Sequence, residues 1–428
     1  MNIKQRNWDT VVIGGGLAGL TAAIHLAQAG QSVLLCEKGE RLGGRASTVE
    51  KNGCLFNLGP HALYKNGAGM AILHELGIQP QGGDPVPSGK LFYQEQAFPL
   101  PISPISIMSS KLFTLSEKIE LASLYTQLGK IDPSSLEHMS LQDWMDTHIK
   151  HPKVALFFAT LFRVSSYTND PELASAGILI KQFQRSLGGV LYLDDGWQSL
   201  IQDLQAKAEQ LGVTILVKQK VEKISGSFPQ LECTIGTETI YAKAVISTAP
   251  PALTEQMVVP ERGSSLTQLN RELIPVKGAS LDIALKKLPQ PHTSFALDMN
   301  KSLYYSNHSK AAKLTYDSHH HVIHVFKYFS SHDEQDVIKT RQELESFLNL
   351  LQPGWQKEVV AEQFLPQMTV SLGLPKVGQP TPRVTVDSFP GLFLAGDWMY
   401  NYGLLADASI SSGKEAAQQV IHHLTIRR

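Results

Sequence analysis

The chain of 428 residues holds three cysteines, Cys36, Cys54 and Cys233, and no C-x-x-C pair. So sparse and odd a set excludes a disulfide framework and a thiolate zinc site, and it points to a reducing compartment. No metal site is expected, and the expected location is cytoplasmic. Excess charge of one sign is also lacking, the formal net charge being −1. So weak a field gathers neither nucleic acid nor an anionic membrane, which excludes nucleic-acid binding as the main role. Long apolar runs are missing too. The densest, Val154–Phe162, is less than half the roughly 20 residues that span a bilayer. Membrane contact is therefore expected to be peripheral at most, at the inner face and through this run; the competing reading buries the run in the core as a strand. No cationic-then-apolar leader precedes the first apolar strand, and no internal repeat or low-complexity tract follows.

What is present is ordinary for a soluble enzyme, with 43% hydrophobic and 18% charged residues, and the length suits two domains. Thr10–Ile13 reads as a buried strand. Leu17, Leu20, Ile24 and Ala27 recur at helical spacing up to Gly30, and Ser32–Cys36 is a second strand. Strand, helix and strand in about thirty residues make a βαβ unit. From Gln79 to Pro104, six prolines are expected to break any regular element. A helical stretch follows to about Arg185. It opens on the capping box Thr114-x-x-Glu117, with Ile119, Leu124 and Leu128 as its apolar stripe. Asp195-x-x-Gln198 is expected to cap a further helix, a simpler role for Asp195 than acid–base work beside Asp194. The stretch "VTILVKQKVEKI" predicts one strand or a hairpin, and "AVISTAP" a buried strand. Residues 275–335 alternate as antiparallel strands do. His319–His321 and His324 cannot converge on one ion, because neighbours on a strand point to opposite faces. A helix is predicted over Arg341–Leu351.

The chemistry sits at the two ends. Gly14-x-Gly16-x-x-Gly19 follows a buried strand and opens a helix, and Gly15, Leu17 and Ala18 complete the turn. Gly14 allows the bend, Gly16 lets backbone approach a pyrophosphate, and Gly19 lets helix and sheet pack. The amides and dipole of the helix N-terminus suit phosphate. Glu37, with Lys38 beside it, ends the second strand where a carboxylate accepts from ribose hydroxyls. An NAD site has these parts too. Arg41-Leu-Gly-Gly-Arg45 extends the grip along a longer dinucleotide, FAD, with Gly44 and Arg45 on the pyrophosphate. At the other end, "GLFLAGDW" is a strand ending in Gly396-Asp397, with Asp397 directed to the ribityl chain. Gly413 lies inside the last helix, at a cost of roughly 1 kcal/mol relative to alanine, which calls for close packing on the cofactor domain. The start of that helix, Asp407–Ser409, is expected to face the flavin pyrimidine.

These motifs, with "NLGPHAL" at Asn57–Leu63, "KVEKI" at Lys220–Ile224 and "STAPP" at Ser247–Pro251, resemble the superfamily of FAD-dependent amine oxidases, protoporphyrinogen oxidases and phytoene (carotenoid) desaturases. The resemblance spans nearly the whole chain in order. It implies that Val221 meets the adenine through its backbone and that Gly59, Pro60 and His61 lie beside the isoalloxazine. Leu405 and Ala408 align with the flavin-facing turn, where amine oxidases carry a tyrosine at the Leu405 position as half of an aromatic cage. Trp398, Tyr400 and Tyr402 are near enough to substitute. Asp195-Gly196-Trp197 replaces a glycine-glycine-methionine turn of the other two branches. His61 and Tyr402 are the candidate catalytic contacts. His61 reads either as a proton acceptor at the flavin face or as a ring packed there for shape.

The expected fold is α/β: a Rossmann-type FAD-binding domain with a parallel sheet, from residues 1–78, 188–260 and 385–428, and a second α+β substrate domain. The latter takes residues 79–187 and 261–384, with a helical insert at about 100–187. The expected reaction is hydride removal from a C–C or C–N bond of an apolar small molecule, desaturase-like. Oxygen or a quinone-like acceptor would reoxidise the flavin. The alternatives are a flavin amine oxidase, a protoporphyrinogen oxidase-like enzyme, or a flavin-holding protein that binds a lipid or partner without turnover. No oligomeric state is implied.

Overall fold

A computed structural model describes residues 7–86, 88–258 and 265–426. Its first sheet grows from the strand Asn7–Ile13, which pairs in parallel with Val33–Cys36 on one side and Glu238–Ser247 on the other. Val33–Cys36 is buried at every position, as a strand covered on both faces must be. The helix Leu17–Gln28 makes the crossover, and the chain leaves it through Gly30 at φ +77°. Thr214–Leu216 adds to Val33–Cys36, and Leu392–Leu394 adds to Glu238–Ser247, both in parallel. The C-terminal strand thus lies in the same sheet as the N-terminal one.

The stretch "VTILVKQKVEKI" is neither one strand nor a hairpin. It divides into Thr214–Leu216 and Val221–Ser227, which stand at the two ends of the strand order. Alternation of side chains is the same in both pieces, so pattern alone does not report where the chain changes partners.

The second sheet runs in the order Val359–Ser371, Val276–Leu285, His321–Tyr328, Leu303–Asn307, Phe295–Asp298, Lys90–Tyr93, Gln96–Pro99. All neighbours are antiparallel except Phe295–Asp298 with Lys90–Tyr93. The proline-rich stretch is therefore not devoid of regular structure. Its prolines border the hairpin, and Pro99 closes the edge strand, where a missing N–H costs no ladder bond. His319 lies in a turn, whereas His324 points inward, fully buried.

Helices fill the segment before the second part of the first sheet: Leu115–Leu128, Leu141–His148, Pro152–Ser166 and Ala176–Ser186. The Thr114/Glu117 capping box forms. The stripe is Leu121, Leu124 and Leu128, all buried, whereas Ile119 is 62% exposed. Ile119 is two positions from Leu121, about 200° around a helix, so the two cannot share a face. Val154–Phe162 is helical, not a strand, and Val154, Phe157, Phe158 and Phe162 are buried in the core. That burial removes the ground for membrane contact through this run. Among the described residues no helix is long and apolar enough to cross a membrane. The helix Val337–Leu351 starts on Asp336, whose side chain accepts from Ile338 and Lys339.

Candidate functional site

The glycine turn Gly14–Gly19 joins the first strand to its helix. A Cβ on Gly19 would lie 1.9 Å from the Gly14 carbonyl oxygen, so helix and strand meet too closely for any other residue. Gly16 is the N-cap, no side chain caps the helix, and its first turn carries no acid, which leaves those amides for an anion. A Cβ on Gly16 would have Gly43 O, at 3.7 Å, as its nearest neighbour, and one on Gly44 would meet nothing within 4 Å. Backbone and open space therefore face each other across the turn. Glu37 stands at its rim, with Oε2 accepting from Gly15 N at 2.8 Å and Oε1 from Gly39 N at 2.7 Å. Those bonds orient the carboxylate, and each oxygen keeps a lone pair for a ribose hydroxyl.

Other predicted residues gather around this turn. Gly43 N donates to Gly15 O at 2.9 Å, and Gln219 N to Glu37 O at 2.9 Å, which brings the segment leading into buried Val221 beside Glu37. Arg41 donates to Thr48 O at 2.9 Å, while Lys38 is exposed. Arg45 reaches across the fold to Asp397 in a two-point pair, Nη1 to Oδ2 at 2.7 Å and Nη2 to Oδ1 at 2.6 Å. Burial acts to lower the Arg45 pKa, but the Asp397 carboxylate outweighs it and the net direction is upward. Asp397 is 3% exposed and also accepts from Leu372 N at 3.0 Å. Gly413 explains itself here: a Cβ on it would lie 2.3 Å from Ala18 O, so the C-terminal helix packs directly on the helix Leu17–Gln28. Gly396 N donates to Ser412 Oγ at 2.9 Å, and Ala408 is fully buried.

The segment Asn57–His61 carries the other predicted residues of the candidate site. Gly59 has φ +86° and sits against Met368. Pro60 O accepts from the Tyr167 phenol at 2.6 Å. His61 Nδ1 lies 3.0 Å from Gly59 O; a carbonyl only accepts, so Nδ1 carries the proton and the neutral ring presents Nε2 as an acceptor. Burial lowers the His61 pKa, partly opposed by the Gly59 carbonyl and the nearby Arg45 backbone. Trp197 meets the ring edge-on at 5.3 Å. Tyr402, the other candidate, is 50% exposed, whereas Trp398 and Tyr400 are buried. Leu405 takes φ +60° just before the C-terminal helix.

Asp195 does not cap the helix Trp197–Gln210. Asp195 has φ +59°, the N-cap is Gly196, and no side chain of that turn bonds the helix amides. Asn57 Oδ1 accepts from Trp197 N at 2.9 Å, and Thr48 Oγ1 from Gln198 N at 3.0 Å. The cap is supplied by a distant hairpin, which local spacing could not reveal. Asp194 Oδ1 instead holds Lys313 N at 2.8 Å, and Asp195 N holds Lys313 O at 2.8 Å.

Asp282 and Gln363, which motif reading passed over, also lie here, beside the His324 that it set aside as a metal ligand. Asp282 and His324, both fully buried, pair at 2.7 Å through Oδ1 and Nδ1. Asp282 Oδ2 accepts from Gln363 Nε2 at 3.0 Å, and the same amide donates to Asn57 O at 2.8 Å. A continuous hydrogen-bond chain therefore ties the second sheet to the loop of Gly59 and His61. The alternation that placed His324 on a strand was legible, but its face was not.

Residues 17–421 match the family described as flavin containing amine oxidoreductase. The chain belongs to that family. Membership makes it an FAD-dependent oxidoreductase. Carotenoid 3,4-desaturase of Haloarcula japonica is 56% identical over 52 residues, 12% of this chain and 10% of that protein. The flavin-containing amine oxidase of Oncorhynchus mykiss is 28% identical over 280 residues, 59% of this chain and 52% of its own length. The chain thus matches from a tenth to about half the length of these relatives. In fold, it follows an oxidoreductase from Methanosarcina mazei, with a TM-score of 0.78 at 19% identity over 96% of this chain and 99% of that one. The uncapped helix start, the open space at Gly16 and Gly44, and the oriented Glu37 fit FAD. When bound, FAD supplies the hydride acceptor.

Proposed function

We propose that this oxidoreductase removes a hydride from a C–C or C–N bond of an apolar small molecule, in the manner of a phytoene or carotenoid desaturase, with oxygen or a quinone-like compound as final acceptor. One observation carries the reading. The loop of Gly59, Pro60 and His61 is walled by rings: Tyr167, bonded to Pro60 O, lies 5.3 Å from Phe326 and 5.6 Å from Tyr328. Leu405 replaces the tyrosine of an amine cage. Phe326 and Tyr328 are buried behind Tyr167, and the partly exposed Tyr167 ring offers apolar area beside the loop with few polar demands. Loss of a hydride from one carbon and a proton from its neighbour leaves a double bond. A bound flavin would supply the hydride acceptor, and water or Nε2 of neutral His61 would take the proton. In this reading residues 1–78, 188–260 and 385–428 hold the FAD, including Val221 at the adenine, and residues 79–187 and 261–384 hold the substrate.

A second reading, an amine or protoporphyrinogen oxidase-like enzyme, draws on the buried rings of Trp398 and Tyr400 close in sequence to Leu405. Anaerobic titration of the purified flavoprotein separates the readings. Bleaching of the flavin band by a polyprenoid supports the first; bleaching by a porphyrinogen or by amines alone replaces it with the second. A flavin that no substrate bleaches points to binding without turnover.

A further inference from the structure

Arg163 lies in the last turn of the helix Pro152–Ser166 and is 8% exposed. Its Nε donates to Asn169 Oδ1 at 2.7 Å, but Nη1 is buried with no hydrogen-bond partner among the described residues. The guanidinium carbon stands 6.0 Å from the centroid of the Tyr328 ring. Among the described residues no carboxylate comes within ion-pair distance. Asp298, whose charge Arg163 feels, uses Oδ1 on the amides of Asn300 and Lys301 at 2.9 and 2.8 Å. Burial lowers the Arg163 pKa to about 10, with Tyr328 and Asp298 acting the other way, so the group stays cationic at neutral pH.

A buried cation is costly unless an anion and its hydrogen bonds compensate it. Arg45 has that compensation from Asp397. Arg163 has one amide oxygen, the edge of a helix dipole and a ring face, which together leave donors unused. Its position is as telling as its lack of a partner. Tyr328, under the guanidinium, contacts Tyr167 at 5.6 Å, and Tyr167 bonds the Pro60 carbonyl of the flavin-face loop. The cation therefore stands along the same aromatic wall, two ring contacts from that loop.

We infer that Arg163 is an anion-recognition site and that the substrate is an apolar body carrying a carboxylate, gripped by the unused guanidinium donors. A planar guanidinium binds a carboxylate at two points, which a hydroxyl or amide cannot match. The same charge disfavours a cationic amine at this end of the wall. The inference rests on the apolar reading above for the body of the ligand, though not for its charged end.

Equilibrium dialysis of the FAD-loaded protein tests it with two pairs of probes. One is geranylgeranoic acid against geranylgeraniol; the other is phenylacetate against phenylacetamide. The acid of each pair is expected to bind about tenfold tighter or more. Arg163→Gln removes that preference, while Arg163→Lys retains part of it. If the apolar reading fails and the inference holds, the prenyl pair does not bind but the small acid keeps its advantage. Equal affinities within both pairs in the unaltered protein overturn the inference, whether or not the variants fold. So does an acid preference that survives Arg163→Gln with full flavin content.

Discussion

Arg45 and Asp397 stand 352 positions apart in sequence, yet they form a two-point ion pair with N–O distances of 2.7 and 2.6 Å. The pair joins the turn after the first βαβ unit to the strand end before the last helix. Arg45→Ala leaves the carboxylate of Asp397, 3% exposed, without its cation, while the arginine itself is 44% exposed. The half-exposed partner tempers the penalty, so a loss of about 1–3 kcal/mol is expected. Urea unfolding and the flavin-to-protein absorbance ratio check it, and both should fall.

Gly413→Ala improves helix propensity by roughly 1 kcal/mol. The added methyl would sit 2.3 Å from the Ala18 carbonyl, on backbone that cannot swing aside. Overpacking of this kind costs about 1–3 kcal/mol, so net destabilisation is expected. A Tm equal to or above that of the unaltered protein would refute the packing account.

Burial raises the pKa of Asp407 from 3.8 to about 6, against the Gly69 amide and Arg185. The folded protein then binds more protons than the unfolded chain between these values. Stability from this group is therefore complete below pH 3.8, falls as pH rises to about 6, and stays low above it. Asp407→Asn keeps an oxygen for Gly69 N and removes the titration. Its advantage over the unaltered protein should grow by about 2 kcal/mol between pH 4 and pH 8. Thermal unfolding across that range measures it.

Asp282 and His324 are both fully buried. Asp282→Ala strips the imidazole of its partner and Gln363 of an acceptor, with an expected loss of about 3–5 kcal/mol. Asp282→Asn, which still accepts from Nδ1–H, should lose less. Denaturant unfolding of the two variants orders them, and the reverse order would refute the pairing.

Much of the nucleotide half was legible because its constraints are local. Gly14 is demanded by a turn and Gly19 by a packing contact within a few residues of each other, and Glu37 follows at the end of the next strand. Gly413 signalled a contact because its helix cost needs a reason. The capping box at Thr114 and Glu117 is equally local. Misreadings arose wherever the partner lay far along the chain. Asp195 has the right residue type and spacing for a cap, yet the amides of Trp197 and Gln198 take theirs from Asn57 and Thr48. Ile119 looked apolar enough to pack, but Leu121 claims the buried face.

By itself the sequence determined the strand–helix–strand unit with its glycine turn and the family, because glycine geometry, helix ends and strand burial follow from residue type at fixed spacing. Tertiary structure alone decided which charges meet and which remain unmatched. Arg45 finds Asp397, His324 finds Asp282, and among the described residues Arg163 finds no carboxylate. Burial and pairing of a charge depend on what the fold brings within a few ångströms, and no spacing along the chain encodes that distance.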